Sequence, residues 1–459
     1  MTASPALRWA SFAALAAFLA CTSGVPAPEP TVPVTAGRPA RPPARRPTPG
    51  RAPPTPNEPS EPGAQPALAA VRDVGDTTIR VLLSTSKEFV QVASPDGLLF
   101  TAGDGQTIAR SPGAGPWRVE HEGRRVRAIR SDGVPTEWTD QGLIAEPLAD
   151  GLISVSGKPY RGDVAFYGDQ AGVLAVNVLK IDEYLRGVVP LEIGTRAESD
   201  SAAVQAQAVT ARSYAYVHLG AEGRKPYDVT SGVEDQVYGG VAAETAVSSE
   251  AVESTRTLVL EYDGRIVNAP YHSTCGGSTA AASEVWRSDD EPYLQPVSDR
   301  IPGTDRYYCD WAPRFRWTRT IEGSKLNAAL ARYLAAYTAV PGKQTGVARS
   351  VTVASRTPSG RVGTLTVTTS RGNFVLRGND TRYVLREPGG EILNSTAFTV
   401  SETRAPDGSI GRLTIRGNGY GHGVGMCQAG AIGRARAGQD FRTILHTYYP
   451  GTTVAPPPN

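Results

Sequence analysis

Residues 173–193 decide the class of fold: Val173-Leu174-Ala175-Val176-Asn177-Val178-Leu179-Lys180-Ile181-Asp182-Glu183-Tyr184-Leu185-Arg186-Gly187-Val188-Val189-Pro190-Leu191-Glu192-Ile193. The apolar run after Gly172 reads as a strand, and Ile181–Leu185 reads as the start of a helix. Ser199-Asp200-Ser201 then offers cap chemistry for a helix running to about Leu219, with Gly220 as its stop. On that helix Val204, Ala208, Ala211 and Ala215 form a small-residue stripe expected in the core. Gln205, Val209, Arg212 and Tyr216 form a second stripe, expected to line a cleft. Working outward, 77–83 and 89–92 read as strands broken by the turn Pro95-Asp96-Gly97, and 257–275 alternates about Asp263-Gly264. Residues 350–416 hold more strands. A glycine-rich loop from Gly417 to Gly425 opens a helical end, where Asp440 caps a helix whose apolar face is Phe441, Ile444, Leu445 and Tyr448. The pattern predicts an α+β fold of mixed sheets with a few cleft-lining helices. A small β-rich subdomain is expected at 70–155 and the main domain at 156–455.

The chain has 459 residues, 47 basic and 45 acidic side chains and a net charge of +2. That length supplies a substantial core. The charge balance excludes a histone-like nucleic-acid binder, so nucleic acid is not an expected partner. An aromatic content of 7% with 49 Gly and 37 Pro excludes a coiled coil. Residues 1–21 carry Arg8, an apolar run from Trp9 to Ala20, and Cys21; the run is too short to span a bilayer and reads as a signal peptide. Phe18-Leu19-Ala20-Cys21 resembles a bacterial lipobox, which implies lipidation at Cys21 and an exported chain anchored to the envelope, on its periplasmic or outer face. Residues 22–69, with 15 Pro between Pro26 and Pro66, read as a disordered Pro/Arg-rich linker.

Glu192 is the most informative carboxylate. It follows an apolar run and a proline, and a partly apolar pocket would raise its pKa toward the range of a general acid; spacing alone favours a surface Glu after a turn. Four motifs bear on the choice: Gly187–Glu192 (GVVPLE), Gln205–Tyr214 (QAQAVTARSY), Tyr271–Gly277 (YHSTCGG) and Gly419–Ala431 (GYGHGVGMCQAGA), the last followed by Tyr448-Tyr449-Pro450-Gly451. Together, over about 160–453, they resemble the sporulation stage II protein D or amidase-enhancer domain family. Ile193 stands where that family often has Met, and Gly194-Thr195 where it has a Pro-containing turn.

The resemblance implies cleavage of peptidoglycan glycan strands by a lytic transglycosylase, with Glu192 as single general acid and base. Its rival is a non-catalytic, peptidoglycan-binding enhancer of a separate cell-wall amidase. It also implies an orienting role for Arg212 on Glu192 or on a muramic carboxylate, a structural salt bridge being the other reading. Substrate contacts are implied for Gln207, Ser213, Asp235, Gln236, Tyr238, His272, Ser273, His422 and Gln428. The loop around His422 lacks the Gly-Lys-Ser/Thr ending of a phosphate loop. The chemistry requires no cofactor. Cys275, Cys309 and Cys427 leave two readings open: a Cys275–Cys309 disulfide, or a structural Zn²⁺ held by His272, Cys275, Cys309 and Cys427.

Overall fold

The computed structural model describes residues 77–458 apart from 114, 221, 222, 224, 287, 342, 343 and 387–389. The signal segment, Cys21 and the linker expected at 1–69 lie outside the described residues. The central sheet has seven strands: Thr78–Ser86 (β1), Leu98–Ala102 (β2), Thr107–Ser111 (β3), Leu143–Pro147 (β4), Asp163–Gly168 (β5), Val173–Lys180 (β6) and Val229–Thr230 (β7). Their order is β7-β1-β6-β5-β4-β2-β3. β6 pairs antiparallel with both β1 and β5, in register Ile79↔Leu179 and Phe166↔Ala175. An interior strand covered on both faces needs apolar residues at every position, which is why 173–179 shows a run instead of an alternation.

A second sheet of five short strands runs from 89 to 160, and its side chains join the same core as the central sheet. The strands expected as a separate subdomain at 70–155 therefore share one core with 163–180, and the boundary at 155/156 falls inside the hairpin that pairs 153–155 with 158–160.

Helix α1 spans Ile181–Ile193 without a break, α2 spans Ser201–His218 and α3 spans Ala246–Ser254. Pro190 sits in the last turn of α1, and Gly194 at φ +79° ends it. Helix α2 is buried from Ala203 to Ala215 except at Gln205, so Val209 and Arg212 of the second stripe pack inward instead of lining a cleft, while Gln205 and Tyr216 at its ends are partly exposed. Its neighbours are α1, α3 and the two C-terminal helices, and its alanines permit close approach on every side.

A second core lies between Arg316 and Asn418. It contains Arg316–Glu322 (β8), helix α4 (Gly323–Tyr333), Ala348–Arg356 (β9), Val362–Thr369 (β10), Gly372–Arg377 (β11), Phe398–Arg404 (β12) and Ile410–Asn418 (β13). Two three-stranded sheets, β8-β13-β12 and β9-β10-β11, enclose Leu326, Leu330, Leu365, Val367, Leu413 and Ile415. The chain then returns to the first core through helices α5 (Gln428–Arg436) and α6 (Phe441–Tyr448), the latter capped by Asp440 accepting the Thr443 N–H at 2.8 Å. Among the described residues no helix is long and apolar enough to cross a membrane.

Candidate active site

Glu192 occupies the last turn of α1 and is 7% exposed. Its Oε1 accepts the Val237 N–H at 2.9 Å. The Gln428 amide, at the start of α5, donates to the Glu192 backbone carbonyl and to Gln207 Oε1, both at 3.1 Å. Three helices and the 231–240 loop thus converge on Glu192, the loop on its carboxylate and α5 on its backbone carbonyl. The loop is rigidly held: Asp235 Oδ2 accepts the Thr230 N–H and hydroxyl at 2.8 and 2.9 Å, and Oδ1 accepts the Tyr214 hydroxyl at 3.1 Å. Gln236 donates to the Tyr271 hydroxyl at 3.1 Å and accepts that of Tyr184 at 3.3 Å. Tyr238 donates to Asn177 Oδ1 at 2.9 Å, and its ring lies against Gly187, where a Cβ would sit 2.6 Å from Tyr238 Cε2. Gly187 is therefore required for the loop to reach α1. Gln207, Asp235, Gln236, Tyr238 and Gln428 are brought together around Glu192, chiefly as its supporting frame. Ser273 faces a small cavity, about 60 Å³, beside Ile193 and Gln428.

Arg212 points elsewhere. It is 1% exposed and donates to Asp182 Oδ1 at 2.8 Å and to the Leu258 and Val252 carbonyls at 3.0 and 3.2 Å. Asp182 and Glu192 are ten residues apart on α1, roughly 15 Å at the helical rise, so the salt-bridge reading describes Arg212 and an orienting contact with Glu192 is not formed. Ser213 donates to the Val209 carbonyl at 2.9 Å and accepts the Leu260 N–H at 2.8 Å, which pins the strand Val259–Tyr262 to α2.

The glycine loop runs alongside 270–275. Gly419, Gly421, Gly423 and Gly425 all have positive φ, and a Cβ on Gly425 would lie 2.0 Å from the Pro270 carbonyl oxygen. This approach lets Tyr271 and His272 pair in parallel with Met426 and Cys427. His422, 3% exposed, donates from Nε2 to the Tyr271 carbonyl at 2.8 Å and accepts the Val424 N–H on Nδ1 at 3.1 Å. Both ring nitrogens serve the backbone, and burial with the nearby Arg382 charge pushes its pKa down to about 3. His272 donates from Nδ1 to the Val424 carbonyl at 3.1 Å and is likewise held neutral by burial.

The three thiols meet, but not with His272. Cys275, Cys309, Cys427 and Asp299 place their ligand atoms within 4.8 Å of one another, all buried, and the cysteines are unbridged, with Cys275 Sγ 3.4 Å from Cys309 Sγ. Asp299 takes the fourth position because the Tyr448 hydroxyl, at 2.7 Å, and Arg434 Nε, at 3.2 Å, both bond its Oδ1, leaving Oδ2 toward the thiols. Backbone N–H groups of Cys275 and Gly430 donate to Cys427 Sγ at 3.1 and 3.2 Å. Burial pushes the Cys275 and Cys427 thiols well up and the Asp299 carboxyl up, the last opposed by the Tyr448 hydroxyl and the Arg434 charge. Nothing in Val297-Ser298-Asp299 marks it locally as a ligand; only the packing of α5 and α6 does.

Residues 169–262 match the stage II sporulation protein family, and residues 304–425, which include most of the second core, match a domain of unknown function. An uncharacterized protein of Brachyspira hyodysenteriae is 30% identical over 68% of this chain and 76% of its own length. The amidase enhancer of Bacillus subtilis is 32% identical over 66% of this chain, which covers 45% of that protein. Stage II sporulation protein D of Bacillus subtilis is 28% identical over 70% of this chain and 87% of its own length. The chain belongs to the stage II sporulation protein D family.

Proposed function

We propose that this chain cuts the glycan strand of peptidoglycan as a lytic transglycosylase. Glu192 protonates the leaving glycosidic oxygen and then takes the proton of the muramic C6 hydroxyl as that oxygen attacks C1, closing a 1,6-anhydro ring. The observation that carries this reading is a nearly buried carboxylate held at one oxygen by the Val237 N–H. Asp235, two residues from Val237, has both oxygens committed to Tyr214 of α2 and Thr230 of β7, which suits a mechanism needing one proton-transferring group and a well-positioned sugar instead of two free carboxylates. Glu192→Gln is expected to lower the release of anhydro-ended fragments from peptidoglycan by roughly 10²-fold or more, read by mass spectrometry. Undiminished release by that variant, or reducing ends from the wild type, would sink the mechanism.

The similarity to a protein named amidase enhancer favours a second reading. In it the chain alone releases nothing and instead accelerates a separate cell-wall amidase, which the same experiment with and without such an amidase distinguishes. Under either reading the chain is exported and held at the envelope by lipid on Cys21; Cys21→Ala is expected to move it from the membrane fraction to the soluble one.

For the thiol cluster we propose a structural Zn²⁺ on Cys275, Asp299, Cys309 and Cys427. The ion would favour the thiolates, and Arg434 on Asp299 already supplies the outer bond that such carboxylate ligands take. One zinc per chain is expected by elemental analysis, falling with Cys427→Ser; a metal-free, fully stable chain would refute it.

A further inference from the structure

Between the two cores lies an open groove of about 820 Å³ that the Glu192 chemistry does not use. One wall is the segment Cys275–Ser278 of the first core; the other comes from β8, β12, β13 and the turn after β9. Four guanidiniums line it, those of Arg316, Arg356, Arg361 and Arg416, and no carboxylate does. Arg356 donates to the Gly360 and Phe398 carbonyls at 2.8 and 2.9 Å, and Arg361 to the Cys275 and Ser278 carbonyls, both at 3.0 Å. These acceptors are neutral; Asp310 and Glu284 act on Arg316 and Arg361 from outside the groove lining, and among the described residues none of the four arginines forms a direct salt bridge.

The sheet register fixes the spacing of two of them. Arg316 stands opposite Asn418, and Arg416 opposite both Thr318 and Thr399, so the two arginines are diagonal neighbours on one face, about 7–8 Å apart. The threonines and the asparagine give that face hydroxyl and amide groups between the charges. Arg361 lies deeper, 1% exposed, and its Nε and Nη1 find no acceptor among the described residues. A guanidinium does not give up its proton, so this nitrogen pair keeps the base of the groove positive in a medium that screens poorly. The four arginines stand on separate segments, β8, the end of β9, the turn after it and β13, which fits a strand carrying repeated anions better than a single small one. The aromatic ring of Tyr307, also in the lining, suits the apolar faces of sugars.

We infer that this groove is a second binding site, for a carboxylate-bearing glycan strand, separate from the Glu192 crevice. It rests on the proposed function for the identity of the polymer but not for its cleavage. The purified chain is sedimented with peptidoglycan sacculi stripped of phosphate polymers, and with the same sacculi after their carboxylates are amidated. Arg316→Gln with Arg416→Gln, both on exposed positions, is expected to weaken binding at least tenfold with an unchanged melting temperature. Amidation is expected to weaken wild-type binding to a similar degree. Wild-type binding by the double variant, undiminished binding to amidated sacculi, or binding only to sacculi that keep their phosphate polymer would each overturn the assignment. Fragment release measured in the same tubes separates the two ideas: charge-dependent binding without fragments refutes the transglycosylase and leaves the groove standing.

Discussion

Replacing Arg212 by Met removes a guanidinium that holds three elements while keeping much of the side chain's volume. The lost bonds are those to Asp182 at 2.8 Å and to the Leu258 and Val252 carbonyls at 3.0 and 3.2 Å. Burial works against the charge of Arg212 and Asp182 works for it. Breaking one side of a buried ion pair costs about 3–5 kcal/mol, and the two abandoned carbonyls, each costing about 1–3 kcal/mol if left dry, fall largely within that range. Asp182 is 19% exposed and can be rehydrated, which favours the lower half. At roughly 2 °C per kcal/mol for a large domain, the melting temperature is expected to fall by about 6–8 °C. Arg212→Lys, which keeps the charge and loses the fork, is expected to fall in between. Thermal unfolding followed by circular dichroism reads the shift, and glycan cleavage is assayed well below the transition. A variant that melts within about 1 °C of wild type, or one that is folded yet as inactive as Glu192→Gln, would refute the scaffolding role assigned here.

Gly425→Ala is expected to destabilise by about 2 kcal/mol or more, since φ is +67° and the new Cβ would meet the Pro270 carbonyl at 2.0 Å; a melting temperature equal to wild type would contradict this. The buried histidines set an acid limit. His422 has a folded pKa near 3, below the unfolded value of about 6.5, so the unfolded chain binds the extra proton between those values. The stability of the neutral ring is fully present above about pH 6.5 and declines by about 1.4 kcal/mol per pH unit below it until about pH 3. Denaturant unfolding from pH 7 to 4.5 is expected to show a shallower loss in His422→Gln than in wild type, and parallel curves would be inconsistent with this assignment.

Much of the fold is legible in local pattern. The apolar run 173–179, the helix ending at Gly220, the Asp263-Gly264 turn and the Asp440 cap each depend on neighbours within a few residues, and the corresponding elements form. The continuation of α1 through Gly187 and Pro190 is not legible, because it depends on the Tyr238 ring packing where Gly187 has no side chain. The inward packing of Val209 and Arg212 on the second α2 stripe is hidden for a similar reason. An Ala-rich helix shows little polarity contrast, and only the partners on its far side reveal that it is central.

By itself the sequence determined the α+β class and, through the order of its four motifs, the family and the candidate acid Glu192. Tertiary structure alone decided which polar motif residues touch Glu192 and which serve the frame. Arg212 bonds a carboxylate at the other end of the same helix, His272 and His422 are spent on backbone, and Asp299, not His272, joins the three thiols. The reason is physical: hydrogen-bond partners of a buried polar group are chosen by whatever the packing brings within 3 Å, and residues 24 to 236 positions apart carry no local mark of that meeting.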